Sequence, residues 1–252
     1  MWQIAKVKLE IGFFDDYATF TLLCLLLFIL YCINPFKLFY RSTRKQILFT
    51  LGHIVISPFG LVRFRHFFLA DVLTSIITPL QQTMIIYCYF AGPEHNWKSS
   101  TKVNFKAECT GAEKLYTTIA FLPYWFRLAQ CLRKYEDSER TQTVHLVNAG
   151  KYFSDILIPF TALWYHKYDY NEAFYIWLSV HTFASTYSYI WDIYMDWGLC
   201  RTKAEGKYGL RDKINYHPYF YYYAMVSDFI LRFFWIVPIW QLGQPDSPFN
   251  TF

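Results

Sequence analysis

The sequence predicts an all-α chain, a polytopic transmembrane helix bundle of about six spans with one further interfacial or re-entrant helix. Three observations predict it. Aromatic residues make up 22% of the chain and charged residues only 17%, against roughly 25% charge in soluble domains. Apolar residues gather in runs of 17 to 26, long enough as helices to cross about 30 Å of hydrocarbon. Lysine and arginine crowd into alternate loops, as they do on the cytosolic side of membrane proteins.

The expected spans are 17–33, 67–92, 113–132, 144–165, 173–197 and 216–240. They leave no room for a soluble domain, so residues 1–252 are expected to form a single transmembrane domain. The amino terminus lacks the basic n-region and short h-region of a cleavable signal peptide, so 17–33 is expected as a retained helix. The segment 47–62 is short, is broken by Gly52, His53, Ser57-Pro58 and Gly60, and runs into Arg63 and Arg65. Placing it at the interface puts loops 34–66, 133–143 and 198–215 on one side, with fourteen Lys/Arg against six opposite. A crossing at 47–62 would weaken that bias, so the basic loops are expected to be cytosolic.

Charges inside apolar segments are the informative exceptions, since each costs about 2.5–3.5 kcal/mol at the bilayer centre. Asp71 opens the second span, with Thr74, Ser75 and Thr78 nearby; a helix-start carboxylate favoured by the macrodipole is the plainer alternative. Arg127 lies about two turns deeper than the ordinary anchors Arg133 and Lys134. It either snorkels or holds an anion in a bidentate contact. Asn148, Lys151, Tyr152 and Asp155 recur at helical spacing as a polar stripe, in which Lys151 and Asp155 could neutralise each other. His145, at the start of that span, reads as interfacial rather than as a ligand. Asp192 and Asp196 stand four residues apart, on one face of an α-helix. Asp228 and Arg232 repeat that spacing as an ion pair, and Trp235 beyond them fits core filler, a belt aromatic or a gate. The deep cations Arg127, Lys151 and Arg232 suit an anionic substrate, for which they replace lost hydration. The carboxylates then hold the cations in place, or else form a proton relay or a cation route.

Other chemistries find little support. The net charge of +5 arises in the loops, and no folded basic domain is present to bind nucleic acid. The six cysteines contain no CxxC or Cys/His cluster, so no metal site is expected. Cys88 and Cys109 bracket a loop placed outside the cytosol, as a disulfide or as two free thiols. No HExxH, GxSxG, P-loop or dinucleotide fingerprint occurs, so neither an enzyme nor a cofactor is expected. An intramembrane aspartyl protease would need carboxylates facing each other from separate helices, which Asp192 and Asp196 on one helix do not supply but Asp71, Asp192 and Asp228 could in principle.

Leu122-Pro123-Tyr124-Trp125-Phe126-Arg127 with Gln130-Cys131-Leu132-Arg133-Lys134-Tyr135 resembles the "PxWxR…QCLRRY" signature of the EXS-domain family. His145 to Tyr152 is similar to its "HLxNxxKY" element. The stretch Tyr189 to Leu199 resembles "YxxxWDxxMDWGL", Asp228 to Trp235 resembles "DxxLRFxW", and Phe68-Leu69-Ala70-Asp71 resembles "FxLADxLxS". The resemblance covers roughly 40–240, with an EXS-like core at about 110–240. It implies inorganic phosphate moving through a gated helical path, as in the family's exporters. The alternative is a non-transporting Golgi member acting in retention or scaffolding. By motif match Arg127, Lys151, Tyr152 and Arg232 contact phosphate, Asp71, Asp192 and Asp196 line or brace the path, and Trp235 is the gate.

The same resemblance implies an integral membrane protein of the plasma membrane or Golgi. Its expected partners are inorganic phosphate and membrane lipid, with a homodimer left open and no nucleic acid. The chain departs from the exporters in three ways. It starts almost at its first span, without the SPX domain that precedes the membrane region in exporters. Thr74 stands where the family has asparagine. The chain stops at Phe252, before a further helix bearing an arginine pair.

Overall fold

The computed structural model describes residues 23–38, 40–81, 112–168, 171–200, 208–211, 213–237 and 239, and no strand occurs among them. Helical residues 23–33 lead into α1 (Arg41–Val55), a 3₁₀ turn (Ser57–Phe59) and α2 (Phe64–Ser75). Then come α3 (Ala112–Asp137), α4 (Val144–Tyr168), α5 (Asn171–Trp191), a π turn (Asp192–Asp196) and α6 (Pro218–Arg232). Residues 17–22, 82–92, Cys88, Cys109 and the tail beyond 239 lie outside the described residues. The chain divides into two compact units, Met1–Pro159 and Phe160–Phe252. The division falls at Pro159, inside α4, where the missing N–H and the ring's clash with the preceding turn interrupt the hydrogen-bond ladder.

The all-α class is observed. No helix among the described residues is both long and apolar enough to cross a membrane. The reason is chemical as much as geometric: α3, α4 and α5 run for 26, 25 and 21 residues, but α3 alone carries Arg127, Gln130, Arg133 and Lys134.

Several boundaries differ from the sequence expectation for local reasons. The segment expected at 47–62 begins earlier, at Arg41, and its α-helix stops at Val55. Pro58 then sits in the 3₁₀ turn, and the Ser57 hydroxyl donates to the carbonyls of His53 at 3.3 Å and of Ile54. The helix expected from residue 67 is interrupted at Ile76, because Pro79 cannot donate to the Ser75 carbonyl four residues back. The hydroxyls of Thr74 and Ser75 donate instead to the Asp71 carbonyl at 2.7 and 3.3 Å. Helices α3 and α4 are joined by a tight turn in which Glu139 and Arg140 both take left-handed φ of 54° and 62°. Helix α6 opens with Pro218 in its first turn and the His217 ring accepting from the Tyr219 N–H at 3.3 Å.

The expected α-helical pairing of Asp192 with Asp196 needs correction. Across these residues the backbone widens into a π turn, closed by Trp197 N–H to the Asp192 carbonyl at 2.8 Å. Gly198, at φ +62°, then lets Leu199 N–H reach back to the Ile193 carbonyl at 2.9 Å. That is one residue further than an ordinary Schellman closure. The indole of Trp191 donates to Asp196 across the same widened turn, at 3.1 Å. Single-turn π insertions are frequent at functional sites.

Candidate functional site

In the first unit the decisive side chain is Arg127. It is fully buried, and three polar partners surround its guanidinium. Nε faces Asp71 Oδ1 at 2.6 Å, Nη1 donates to Gln130 Oε1 at 2.8 Å, and Nη2 donates to the Tyr152 hydroxyl at 2.8 Å. That hydroxyl donates in turn to Asp71 Oδ1 at 2.9 Å, so Tyr152 bridges the cation and its counter-ion. Gln130 is anchored by its own amide, which donates to the His66 carbonyl at 3.1 Å. The guanidinium lies 3.7 Å from the centre of the Phe67 ring, a distance at which the ring's quadrupole attracts a cation.

The sequence folds this way because three helices each supply one part. Asp71 and Phe67 lie four residues apart on α2, Arg127 and Gln130 three apart on α3, and Tyr152 on the early part of α4. Cys131, Ala149 and Tyr152 form the apolar floor, with Tyr124 and Leu128 packed against it. Two further cations flank the cluster. Lys151 Nζ lies 4.7 Å from the Tyr152 ring centre, and Lys134 Nζ lies 4.3 Å from that of Phe67. The two members of the central pair differ sharply in exposure: Arg127 is at 0% and Asp71 at 40%. The cation is fixed, and its counter-ion reaches solvent.

The second unit holds a separate cluster. Arg232 on α6 pairs with Asp228 on its own helix at 3.3 Å and with Asp192 of the π turn. Here one guanidinium serves two carboxylates. Asp196 is turned to the Trp191 indole, so the two aspartates of the turn take different partners. Trp235 donates its indole N–H to the Ser185 hydroxyl at 3.0 Å. Its ring stacks on His181 at 3.8 Å with a 7° interplanar angle, and Trp177 meets it edge-on at 5.9 Å. Below this cluster Ile193, Leu199 and Leu210 form a core with Tyr189, Trp197 and Met225.

Of the sequence-derived candidates, the structure brings Asp71, Arg127, Tyr152 and Lys151 together in one unit. It brings Asp192 and Arg232 together in the other, with Asp196 and Trp235 on neighbouring contacts. Gln130, His66, His181 and Ser185 were not anticipated. Gln130 carried one signal: an amide three residues after Arg127 in an apolar helix. The partners of His181 and Ser185 lie about fifty residues away, and no local spacing announces them.

Residues 1–249 match the family model described as the EXS family. The chain belongs to the EXS family. Relatives of this EXS chain include the xenotropic and polytropic retrovirus receptor 1 homologs of Xenopus laevis, 35% identical over 221 residues, and Danio rerio, 36% over 223. Solute carrier family 53 member 1 of Homo sapiens is 36% identical over 224 residues. Each alignment covers 84% of this chain and 32% of the relative, so the chain spans about a third of the length of the curated relatives it matches.

Proposed function

We propose that this EXS chain moves inorganic phosphate across a membrane through a gated path. Arg127, Lys151 and Tyr152 of the first unit and Arg232 of the second contact the anion in this reading. Asp71 and Asp192 hold those cations between transits, Asp196 lines or braces the path, and Trp235 acts as a gate. The observation that carries the proposal is the contrast between Arg127 and Asp71. A fully buried guanidinium needs an anionic partner at all times, because stranding a buried charge costs about 3–5 kcal/mol. Asp71 supplies that partner from a position open to solvent. An arriving phosphate takes its place one anion for another, so the guanidinium is never left uncompensated. Lys134, beside the Phe67 ring, adds positive charge near the site for a phosphate of charge between −1 and −2.

An integral membrane setting, at the plasma membrane or Golgi, is part of the same proposal. Large apolar side chains along the helices, among them Phe153, Phe183, Ile190 and Leu231, are exposed in the isolated chain and suit contact with lipid. The relatives named as solute carriers support transport as the activity class.

A second reading has one specific observation in its favour: the guanidinium nitrogens of Arg127 each face a partner within the protein. A non-transporting scaffold that uses buried charge to specify helix packing accounts for that equally well. Phosphate uptake into proteoliposomes containing the chain separates the two. Uptake above empty liposomes that falls at least tenfold in both Arg127→Ala and Arg232→Ala, at equal reconstitution, supports transport. Absence of uptake by the unsubstituted chain, or unaltered uptake in both variants, defeats it.

A further inference from the structure

A second concentration of positive charge lies away from Arg127, in the turn between α1 and α2. A cavity of about 420 Å³ is lined there by Arg63, Arg65, His53 and His66, with Phe49, Ile56, Leu61 and Val62 among its apolar walls. Its volume falls within the range of about 300–1,000 Å³ usual for small-molecule sites. Among the described residues no carboxylate lines it, and neither Arg63 nor Arg65 forms an ion pair. The amino terminus of α2 adds to the field, since Arg63 is its N-cap residue and first-turn N–H groups carry the positive end of the dipole.

His66 gives an independent sign that something is missing. Its ring is buried, and both ring nitrogens face donors: Arg63 N–H at 3.4 Å from Nδ1, and Arg65 Nε–H at 3.3 Å from Nε2. A neutral imidazole has one acceptor nitrogen and one donor, so one of these contacts sets a donor against a donor. An anion in the cavity relieves that conflict by taking Arg65 and leaving the second ring nitrogen free to donate.

The rim indicates which anion. Of the lining residues Leu61 is 70% exposed, Phe49 60% and Ile56 50%, and Phe59 and Phe64, next in sequence to the lining residues Gly60 and Arg63, are exposed as well. A soluble ion has no use for such a border, whereas acyl chains do. We propose that this cavity binds the phosphorylated headgroup of an anionic membrane lipid. Arg63 and Arg65 grip the phosphate, and the exposed aromatics and Leu61 sit among the acyl chains. The site adjoins the Arg127 cluster through the His66 carbonyl but uses different cations and does not depend on transport.

The test is binding of dioctanoyl phosphatidic acid to the purified chain in neutral detergent, followed by calorimetry. Dioctanoyl phosphatidylcholine and inorganic phosphate serve as comparison ligands, and melting temperature as the check on folding. Saturable phosphatidic acid binding, at least tenfold tighter than phosphatidylcholine and weakened at least tenfold in Arg63→Gln/Arg65→Gln, is expected. The rim variant Leu61→Ser/Phe64→Ser keeps every charge and is expected to weaken phosphatidic acid binding by at least threefold. It serves as the test if the arginine variant does not fold. Equal binding of the two lipids, or unchanged binding in whichever variants fold, overturns the proposal. So does displacement of the lipid by millimolar inorganic phosphate in a manner dependent on Arg63 and Arg65, which makes the cavity a site for the free ion.

Discussion

Removing a single oxygen, in Tyr152→Phe, tests whether the first cluster is built as described. The hydroxyl receives one hydrogen bond from Arg127 and gives one to Asp71, at 2.8 and 2.9 Å. Each bond involves a charged group, for which about 1.5–3 kcal/mol is typical. The two losses are unequal. Asp71 is 40% exposed, so water replaces the lost donor at little cost. Arg127 is wholly buried, so its Nη2 is left without an acceptor and most of the penalty falls there. The expected destabilisation is therefore about 2 kcal/mol, nearly all of it routed through Arg127.

Equilibrium unfolding in mixed micelles, run as a double-mutant cycle with Arg127→Met, isolates that route. In the Arg127→Met background Tyr152→Phe is expected to cost about 0.5 kcal/mol or less, a coupling of about 1.5 kcal/mol. Equal costs in the two backgrounds would refute the bridging role.

The second cluster gives an asymmetric pair of substitutions. Arg232→Met leaves Asp192 and Asp228 facing each other with no cation, and is expected to cost about 2–3 kcal/mol. Asp192→Asn leaves Asp228 in place and should cost less than half as much; equal losses by unfolding at pH 7.5 would contradict the shared-cation arrangement. Gly209 has φ +72°, and a Cβ there would stand 3.2 Å from Cys200 Sγ. Gly209→Ala should cost about 1–2 kcal/mol from the left-handed backbone, and Gly209→Ala/Cys200→Ala should recover only the steric part of the loss in melting temperature. His66, just before the second expected span, has its pKa lowered by burial, with His53, Arg65 and Arg63 adding repulsion. The unfolded chain therefore binds the proton more readily, and stability should fall as pH drops through about 6.5 and level off below the folded-state value. His66→Gln should flatten that slope between pH 7.5 and 5; an unchanged slope would assign it to another group.

Helix placement was largely legible because long apolar runs bounded by charged loops mark where helices lie. What escaped were places where a single residue overrides the run. Pro79 breaks the segment after Ser75, and in the widened turn at Asp192–Asp196 the two aspartates take different partners, Arg232 and Trp191. The charged positions were legible for the same reason they are costly: Arg127, Lys151 and Arg232 stand out against apolar neighbours. Their partners were less so. Asp228 was found by its four-residue spacing from Arg232, whereas the Asp71 contact to Arg127 depends on two helices meeting.

Arg44 shows the opposite failure. It looked like an ordinary member of a basic loop, yet it is buried. Its guanidinium donates to the carbonyls of Asn34 at 3.0 Å, Phe36 at 3.2 Å and Leu38 at 2.6 Å, and also to that of Tyr31. It thus organises the chain between the first helical stretch and α1, a role that no charge count reveals.

Whether the embedded cations serve a travelling anion or only helix packing is decided most directly by exchanging a pair. Phosphate flux is measured in proteoliposomes containing the double variant Asp228→Arg with Arg232→Asp, alongside its melting temperature. The pair keeps its spacing and its net charge, but a carboxylate at 232 then faces Asp192. A lower melting temperature is therefore expected, and flux is compared per folded, reconstituted protein. A guanidinium displaced by one helical turn no longer meets the phosphate. Flux reduced at least tenfold per folded protein, below the variant's melting temperature, is the predicted result; flux equal to that of the unsubstituted chain would contradict the account.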